Sequence, residues 1–249
     1  MKGQVLDVEG NKVGEIELPE VFKSKVNSVL INRAFWIMFT HKLQPQGRDP
    51  MAGMKVSAQS WNTGHGMSRI ARIKGAGTRR AGQAGGVAGV VKGRLTHPPT
   101  SEKVIYKKIN KKERLAATMS ALASTADFDL ITLRGHRIDS SMSLPIIVED
   151  KFETLSKTKE ITQVLLKLKL EDELRRVKER GNGPLIVTSS KNSLYKAANN
   201  IAGIQAVSAS DLSVVHLAPG GVPGRLTIYT NSSLGVLSKR FKEVNVYGY

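Results

Sequence analysis

Apolar residues recur at helical spacing in two long stretches of the chain. From Ser24 to about His41, Val26, Val29, Leu30, Ala34 and Ile37 fall on one helix face, with Arg33 and Lys42 toward the polar side. Trp36 lies inside this predicted helix and is assigned to the core. Lys111 to Ala126 repeats the pattern through Leu115, Met119, Leu122 and Ala126. Its first turn holds Lys111, Lys112 and Arg114, a polarity that opposes the helix dipole and favours an external anion there. Beyond it, short apolar runs alternate with helical stretches, as a parallel sheet with crossover helices requires. The predicted strands are Leu130–Leu133, Ile146–Val148, Leu185–Thr188, Val214–Leu217 and Leu226–Tyr229, with helices over Ser156–Lys167, Glu171–Arg180, Ser193–Asn200 and Ser232–Phe241. Ahead of all this, Gln4–Val8 and Val13–Leu18 flank the turn-forming Glu9-Gly10-Asn11-Lys12 and predict a hairpin appendage. The expected fold is α/β: three layers, α/β/α, on a mostly parallel sheet of four to five strands.

Between the two long helices the pattern fails. Residues 50–101 contain no Asp or Glu, eight Lys and Arg, and ten of the chain's 23 glycines. With few large aliphatic residues, this segment is expected neither to build a core nor to sustain a helix. The predicted organisation is therefore a hairpin appendage over 1–20, a globular α/β domain from 21–49 and 102–249, and a long extended basic loop over 50–101. Doubled back, such a loop reaches on the order of 80 Å. Fixing its backbone costs on the order of 50–100 kcal/mol. The expectation is a segment disordered in the free chain and ordered by a polyanionic partner.

Charge sharpens that expectation. The chain carries 38 Lys and Arg against 21 Asp and Glu, a net +17, and its pI is near 10.1. A membrane surface is the rival polyanion, but the longest wholly apolar run, Ala34 to Phe39, is six residues, far short of the roughly 20 of a spanning helix. No secretory signal opens the chain and there is no cysteine, so a cytosolic, reducing location is expected without disulfides or Cys-ligated zinc.

Catalytic chemistry finds little support. In Gly75-Ala76-Gly77-Thr78-Arg79-Arg80-Ala81-Gly82-Gln83-Ala84, Gly77 and Gly82 have the Walker spacing, but Gln83-Ala84 stands where Lys-Ser/Thr must be. The dinucleotide fingerprint fails at Arg80, which replaces its third glycine. His41, His65, His97, His136 and His216 are scattered, and no metal is expected. There is no Gly-x-Ser-x-Gly elbow, and Asp127, Asp129, Glu149 and Asp150 lack a partner base. An RNA methyltransferase needs an acidic-Gly-x-Gly loop after its first strand, and Leu130–Leu133 runs instead into Arg134-Gly135-His136-Arg137. No enzyme and no cofactor are expected.

The one-signed charge of the insertion is different, because a solvated surface normally mixes signs. Arg69, Arg72, Lys74, Arg79, Arg80, Lys92 and Arg94 alternate with glycine, so bare backbone can approach phosphates while guanidinium forks bind them. Trp61 either stacks on a base or ribose or packs at the base of the loop; its uncored setting favours stacking.

Four stretches resemble one family: Ser57-Ala58-Gln59-Ser60-Trp61, the run from Arg69 to Gln83, Arg134-Gly135-His136, and Ala218-Pro219-Gly220-Gly221. The chain resembles ribosomal protein four of the large subunit, the universal uL-four family. Closing at Tyr249 without a long extension, it looks like the archaeal form. Two departures stand out: His65 where relatives carry Arg between glycines, and a plainer Gly85–Val91 stretch.

The resemblance implies a structural constituent of the large ribosomal subunit, cytoplasmic, that binds ribosomal RNA and assists assembly. Its loop tip would line the nascent-peptide exit tunnel. The residues expected on ribosomal RNA are Lys55, Trp61, Arg69, Arg72, Lys74, Arg79, Arg80, Lys92, Arg94, Lys107, Lys108, Lys111, Lys112 and Arg114. The tunnel-lining tip is expected at Arg69, Ile70, Arg72, Lys74, Gly75, Gly77, Thr78, Arg79 and Arg80. Implied partners are ribosomal RNA, neighbouring large-subunit proteins and the nascent peptide, with no membrane.

Overall fold

A computed structural model describes residues 1–139, 142–179 and 181–242. In chain order the strands are β1 (Lys2–Leu6), β2 (Lys12–Glu17), β3 (Ala58–Gln59), β4 (Arg72–Ile73), β5 (Ile146–Val148), β6 (Leu185–Thr188), β7 (Gln205–Ser208) and β8 (Thr227–Thr230). The α-helices are α1 (Ser28–Phe39), α2 (Lys111–Ala123), α3 (Phe128–Leu133), α4 (Thr158–Lys167), α5 (Glu171–Glu179), α6 (Ser193–Asn199), α7 (Val214–Leu217) and α8 (Asn231–Lys242). The chain divides into two compact units, one from Met1–Thr40 with Lys108–Tyr249 and one from His41–Lys107.

The first unit is built on a six-stranded sheet in the order β2-β1-β5-β8-β6-β7, in which only β2 runs antiparallel to its neighbour. Its central strands β5 and β6 are near-continuous apolar runs because both faces are covered. Ile147, Leu185, Val187, Val207 and Tyr229 point into one core with Ile31 and Phe35 of α1, Ala121 and Leu122 of α2, and Leu234 and Leu237 of α8. Alternate residues Ile146, Val148, Ile186, Ala206 and Ile228 point into the other, with Ile131 of α3, Ile161 and Leu165 of α4, and Leu194 of α6. Helices on both faces of a mostly parallel sheet give the expected α/β class with three layers.

Several expectations need correction. The hairpin is no appendage: β1 pairs parallel with β5 through Val5↔Ile147 and Leu6↔Val148, which extends the sheet to six strands rather than four or five. Leu130–Leu133 is helical, closed at its start by Asp127, whose carboxylate accepts from the Asp129 N–H at 3.0 Å. Val214–Leu217 is also a helix, with the Leu217 and Ala218 N–H groups bonded four residues back to Ser213 and Val214. Four-residue apolar runs do not distinguish a strand from one buried helical turn. The strand that was missed, Gln205–Ser208, has polar residues at both ends and leaves only Ala206 and Val207 to show as an apolar run. Trp36 and Val29, assigned to the buried side of α1, are exposed. The predicted helices over 156–167, 171–180, 193–200 and 232–241 stand within two residues of α4, α5, α6 and α8; Arg180 lies outside the described residues.

The second unit is wider than the acid-free segment and carries backbone pairing of its own. Ala58 and Gln59 pair antiparallel with Ile73 and Arg72. Arg72 bridges on its other side to Ala84, and the Gly82 N–H donates to Ile73 O at 3.0 Å. Gly85 lets this third chain close up, since a Cβ there would stand 2.6 Å from Cγ1 of Ile73. At the ends of the unit His41 stacks on Tyr106 with ring centroids 4.1 Å apart.

Candidate nucleic-acid interface

In the second unit the small ladder positions an exposed basic turn. After β4 the chain leaves at Lys74 and returns at Gln83, whose carbonyl accepts the Ile73 N–H at 2.9 Å. Between them Ala81 N–H bonds to Thr78 O at 2.9 Å and Gln83 N–H to Arg80 O at 3.1 Å, so Thr78–Gln83 is a tight double turn. Arg79 and Arg80 sit on it with exposed side chains, as do Lys74 and Arg69 nearby in sequence. A Cβ at Gly75 or Gly77 would meet nothing within 4 Å, so the backbone around these cations is bare.

Arg72 serves differently from its neighbours. It is half-buried; its guanidinium donates to Gly82 O at 2.9 Å and lies 5.6 Å from the centre of the Trp61 ring. Its Nε is buried without a hydrogen-bond partner. Arg72 therefore ties Trp61 to the base of the basic turn, while 41% of Trp61 stays exposed. Lys55 is paired with Asp49 at 2.6 Å on the surface, and its hydrogen bond, with one from the Met51 N–H, holds the Asp49 carboxyl below its ordinary value. Such an exposed pair exchanges readily with solvent ions. Lys92 is exposed with φ near 60°, and Arg94 is half-buried. Of the tip residues, Ile70 is half-buried and Thr78 exposed. Lys107 falls in this unit, at its C-terminal edge, where its backbone carbonyl accepts from Nε2 of His41 at 2.9 Å.

The first unit displays a second basic surface. Lys108, Lys111, Lys112 and Arg114 are exposed at and before the start of α2, while Glu113 turns inward to pair with Arg33 of α1 at 3.1 Å.

Two of the family-resembling stretches meet inside this unit and do structural work there. The Arg134 guanidinium donates to Pro219 O at 2.7 Å and to Val222 O, clamping the Pro219–Gly224 turn. Burial lowers its pKa to about 10, with Arg176 adding to the effect, so it stays charged at neutral pH. His136 and Glu173 are buried together, and Glu173 also accepts from the Arg137 N–H at 3.0 Å and from Arg176 at 2.7 Å. Burial alone would raise the Glu173 pKa; the bonds from Arg176, His136 and Arg137 outweigh it and bring it to about 2. Nothing in the spacing of these residues announced the network.

The carboxyl end of the parallel strands, where α/β folds commonly carry ligands, is filled by the chain itself. Glu153 accepts from the Ser189 N–H at 2.8 Å, Ser189 Oγ at 2.7 Å, Asn192 at 2.8 Å and Thr230 Oγ1 at 2.6 Å. Ser189, Asn192 and Thr230 thus spend these donors on Glu153. Nor does a helix follow the Gly75–Ala84 turn, so it lacks the geometry of a phosphate loop. Among the described residues no helix is long and apolar enough to cross a membrane.

Comparison with known proteins bears on what this arrangement is. The chain belongs to the ribosomal protein L4/L1 family, whose model matches residues 16–240. Over 97% of its length it is 46% identical to the large ribosomal subunit protein uL4 of Sulfurisphaera tokodaii, covering 95% of that protein. The uL4 proteins of Sulfolobus acidocaldarius and Saccharolobus solfataricus are 45% and 41% identical, each over 97% of this chain and 95% and 96% of their own. These relatives are archaeal, and the family is structural rather than enzymatic.

Proposed function

We propose that the protein is a structural constituent of the large ribosomal subunit, working in the cytoplasm, that binds ribosomal RNA and assists its assembly. Its basic turn from Arg69 to Gln83 enters the RNA and contributes to the wall of the nascent-peptide tunnel. The observation that carries this reading is a stretch of 52 residues without one carboxylate, from which a tight turn holds out Arg79 and Arg80 on bare glycine backbone. Guanidinium forks bind phosphates bidentately, and uncompensated positive charge offsets repulsion between RNA segments that must approach one another. Lys55, Trp61, Lys92, Arg94 and Lys107 extend the same contact along the second unit. Lys108, Lys111, Lys112 and Arg114 add a contact on the first. Neighbouring large-subunit proteins and the nascent peptide are the other partners. Loss of phosphate-bound counterions supplies the driving force, so no reaction is needed.

A structure of the assembled large subunit tests the reading. The expected result is Arg79 and Arg80 within hydrogen-bonding distance of phosphates and Gly75–Thr78 facing the tunnel. Finding those guanidinium groups in open solvent, or the chain absent from purified large subunits, overturns it.

A further inference from the structure

Trp36 belongs to the core by the spacing of its helix, yet 54% of it is exposed. It is not loosely held. Its ring stands nearly perpendicular to Phe35 and to Phe39, with centroids 5.4 and 5.8 Å away, so two aromatic contacts fix the indole plane while more than half its surface stays open. An indole fixed in one orientation loses little further freedom on binding a flat partner.

Its neighbours follow from how α1 meets α2. The Asn27 N–H donates to Ser120 Oγ at 2.6 Å, and Arg33 Nε pairs with Glu113 at 3.1 Å. Moving forward along α1 therefore means moving backward along α2, and the two helices are antiparallel. Trp36 follows Arg33 by three residues, on the same side and about 4.5 Å further along the axis. That places it beside the residues that lead into α2, which include Lys108 and Lys111, both exposed. Among the described residues neither lysine has a carboxylate partner; the one acidic group of this turn, Glu113, is taken by Arg33. On the other side of Trp36 the exposed face of α1 continues as Arg33 and Asn32, which separate it from Val29. Phe39, exposed at 36%, packs edge-on against the indole, so the surface is a small aromatic pair bordered by cations rather than a long apolar stripe.

We propose that Trp36 is a stacking platform for a single unpaired base of RNA, with the flanking phosphates held by Lys108 and Lys111. The inference rests on the RNA-binding reading above and adds a sequence-tolerant, single-strand contact on the sheet-bearing unit, independent of the basic turn at Arg79 and Arg80. Charge decides the occupant. A protein partner for this surface needs either acidic groups opposite the lysines or apolar area around the ring, whereas a nucleotide brings a flat base and a phosphate together. A base inside a duplex is already stacked, so the site discriminates unpaired from paired RNA.

The test uses the full chain and two probes, an unstructured ten-nucleotide RNA and a blunt ten-base-pair RNA duplex. In a Trp61→Phe background, which leaves Trp36 as the one indole, the single strand quenches tryptophan emission and the duplex does not. Trp36→Ala weakens single-strand binding about 5- to 100-fold, Trp36→Phe recovers most of the loss, and duplex affinity changes less than about twofold. Lys108→Ala with Lys111→Ala flattens the slope of log K against log salt by about 1.4 for the single strand. Circular dichroism melts confirm that each variant is folded. Unchanged single-strand affinity in Trp36→Ala, with no quenching, overturns this inference and leaves binding through Arg79 and Arg80 untouched. A dimer in sedimentation that Trp36→Ala dissolves makes the surface a protein interface and also overturns it. Failure of the parent chain to bind either RNA overturns the RNA-binding reading with it.

Discussion

The buried imidazole of His136 accepts the backbone N–H of Leu226 on Nε2 at 3.2 Å. A nitrogen that accepts carries no proton, so the ring is neutral and its proton sits on Nδ1, donated to Glu173 at 2.6 Å. Burial lowers the His136 pKa below 6.5; Glu173 opposes through its hydrogen bond and charge, and Arg176 and Arg134 add to the lowering.

The pH dependence of stability follows. A histidine whose folded pKa is depressed lets the unfolded chain bind the proton first, so stability is full above about 6.5 and declines as pH falls below it. Glu173, brought down to about 2, adds a second decline between roughly 4.5 and 2. Melting temperature followed from pH 8 to 3 should therefore fall in two limbs, and His136→Gln should flatten the upper one. A flat profile from pH 7 to 5 in the parent chain would contradict the assignment.

Arg134 joins the end of α3 to the turn before β8 with a fork of donors that lysine cannot reproduce. Arg134→Lys is expected to cost about 1.5–3 kcal/mol of stability in chemical unfolding. RNA affinity, measured under conditions where the variant is folded, should be unchanged; a matching loss of RNA affinity would place Arg134 in the interface instead.

Glu153 collects four or more donors at the carboxyl end of the sheet. An amide in its place turns N–H groups toward other donors, and Glu153→Gln should lose about 1–3 kcal/mol. Urea melts read this directly, and a variant as stable as the parent removes Glu153 from its structural role.

Gly53 has φ near +79°, and a Cβ there would lie 2.5 Å from the Gly93 carbonyl carbon. Gly53→Ala should therefore loosen the His41–Lys107 unit alone. Amide exchange is expected to rise across 51–95 while β5, β6 and β8 keep their protection; uniform loss across both units would show that the substitution acts elsewhere.

How much of this was legible in the sequence depends on the length of the signal. Ile146–Val148 and Leu185–Thr188 stood out because strands buried on both faces are written as unbroken apolar runs. Val214–Leu217 was written the same way and is a helix, because only hydrogen bonds to Ser213 and Val214 decide between the two. Trp36 was misplaced for a related reason: it follows Phe35 on a helix whose buried stripe ends between them, and only packing against α2 shows where the stripe lies. The one-signed charge was legible as composition, since the lack of carboxylates over residues 50–101 needs no geometry to detect, but the same composition pointed to a long extended loop where the chain forms a paired, compact unit. Its support was not, because Arg72 holding Gly82 and Trp61 depends on a pairing between β3 and β4 that two-residue strands do not announce.

The central claim is that the cations on the turn from Lys74 to Gln83 bind RNA phosphates, and the salt dependence of binding measures it most directly. For the full chain with a structured fragment of ribosomal RNA, up to eight contacts from the insertion give a slope of roughly −6 to −7 in log K against log salt. Arg79→Ala with Arg80→Ala should make that slope shallower by about 1.4 to 1.8 while melting temperature stays the same. A slope unaltered by removing both arginines would contradict the account.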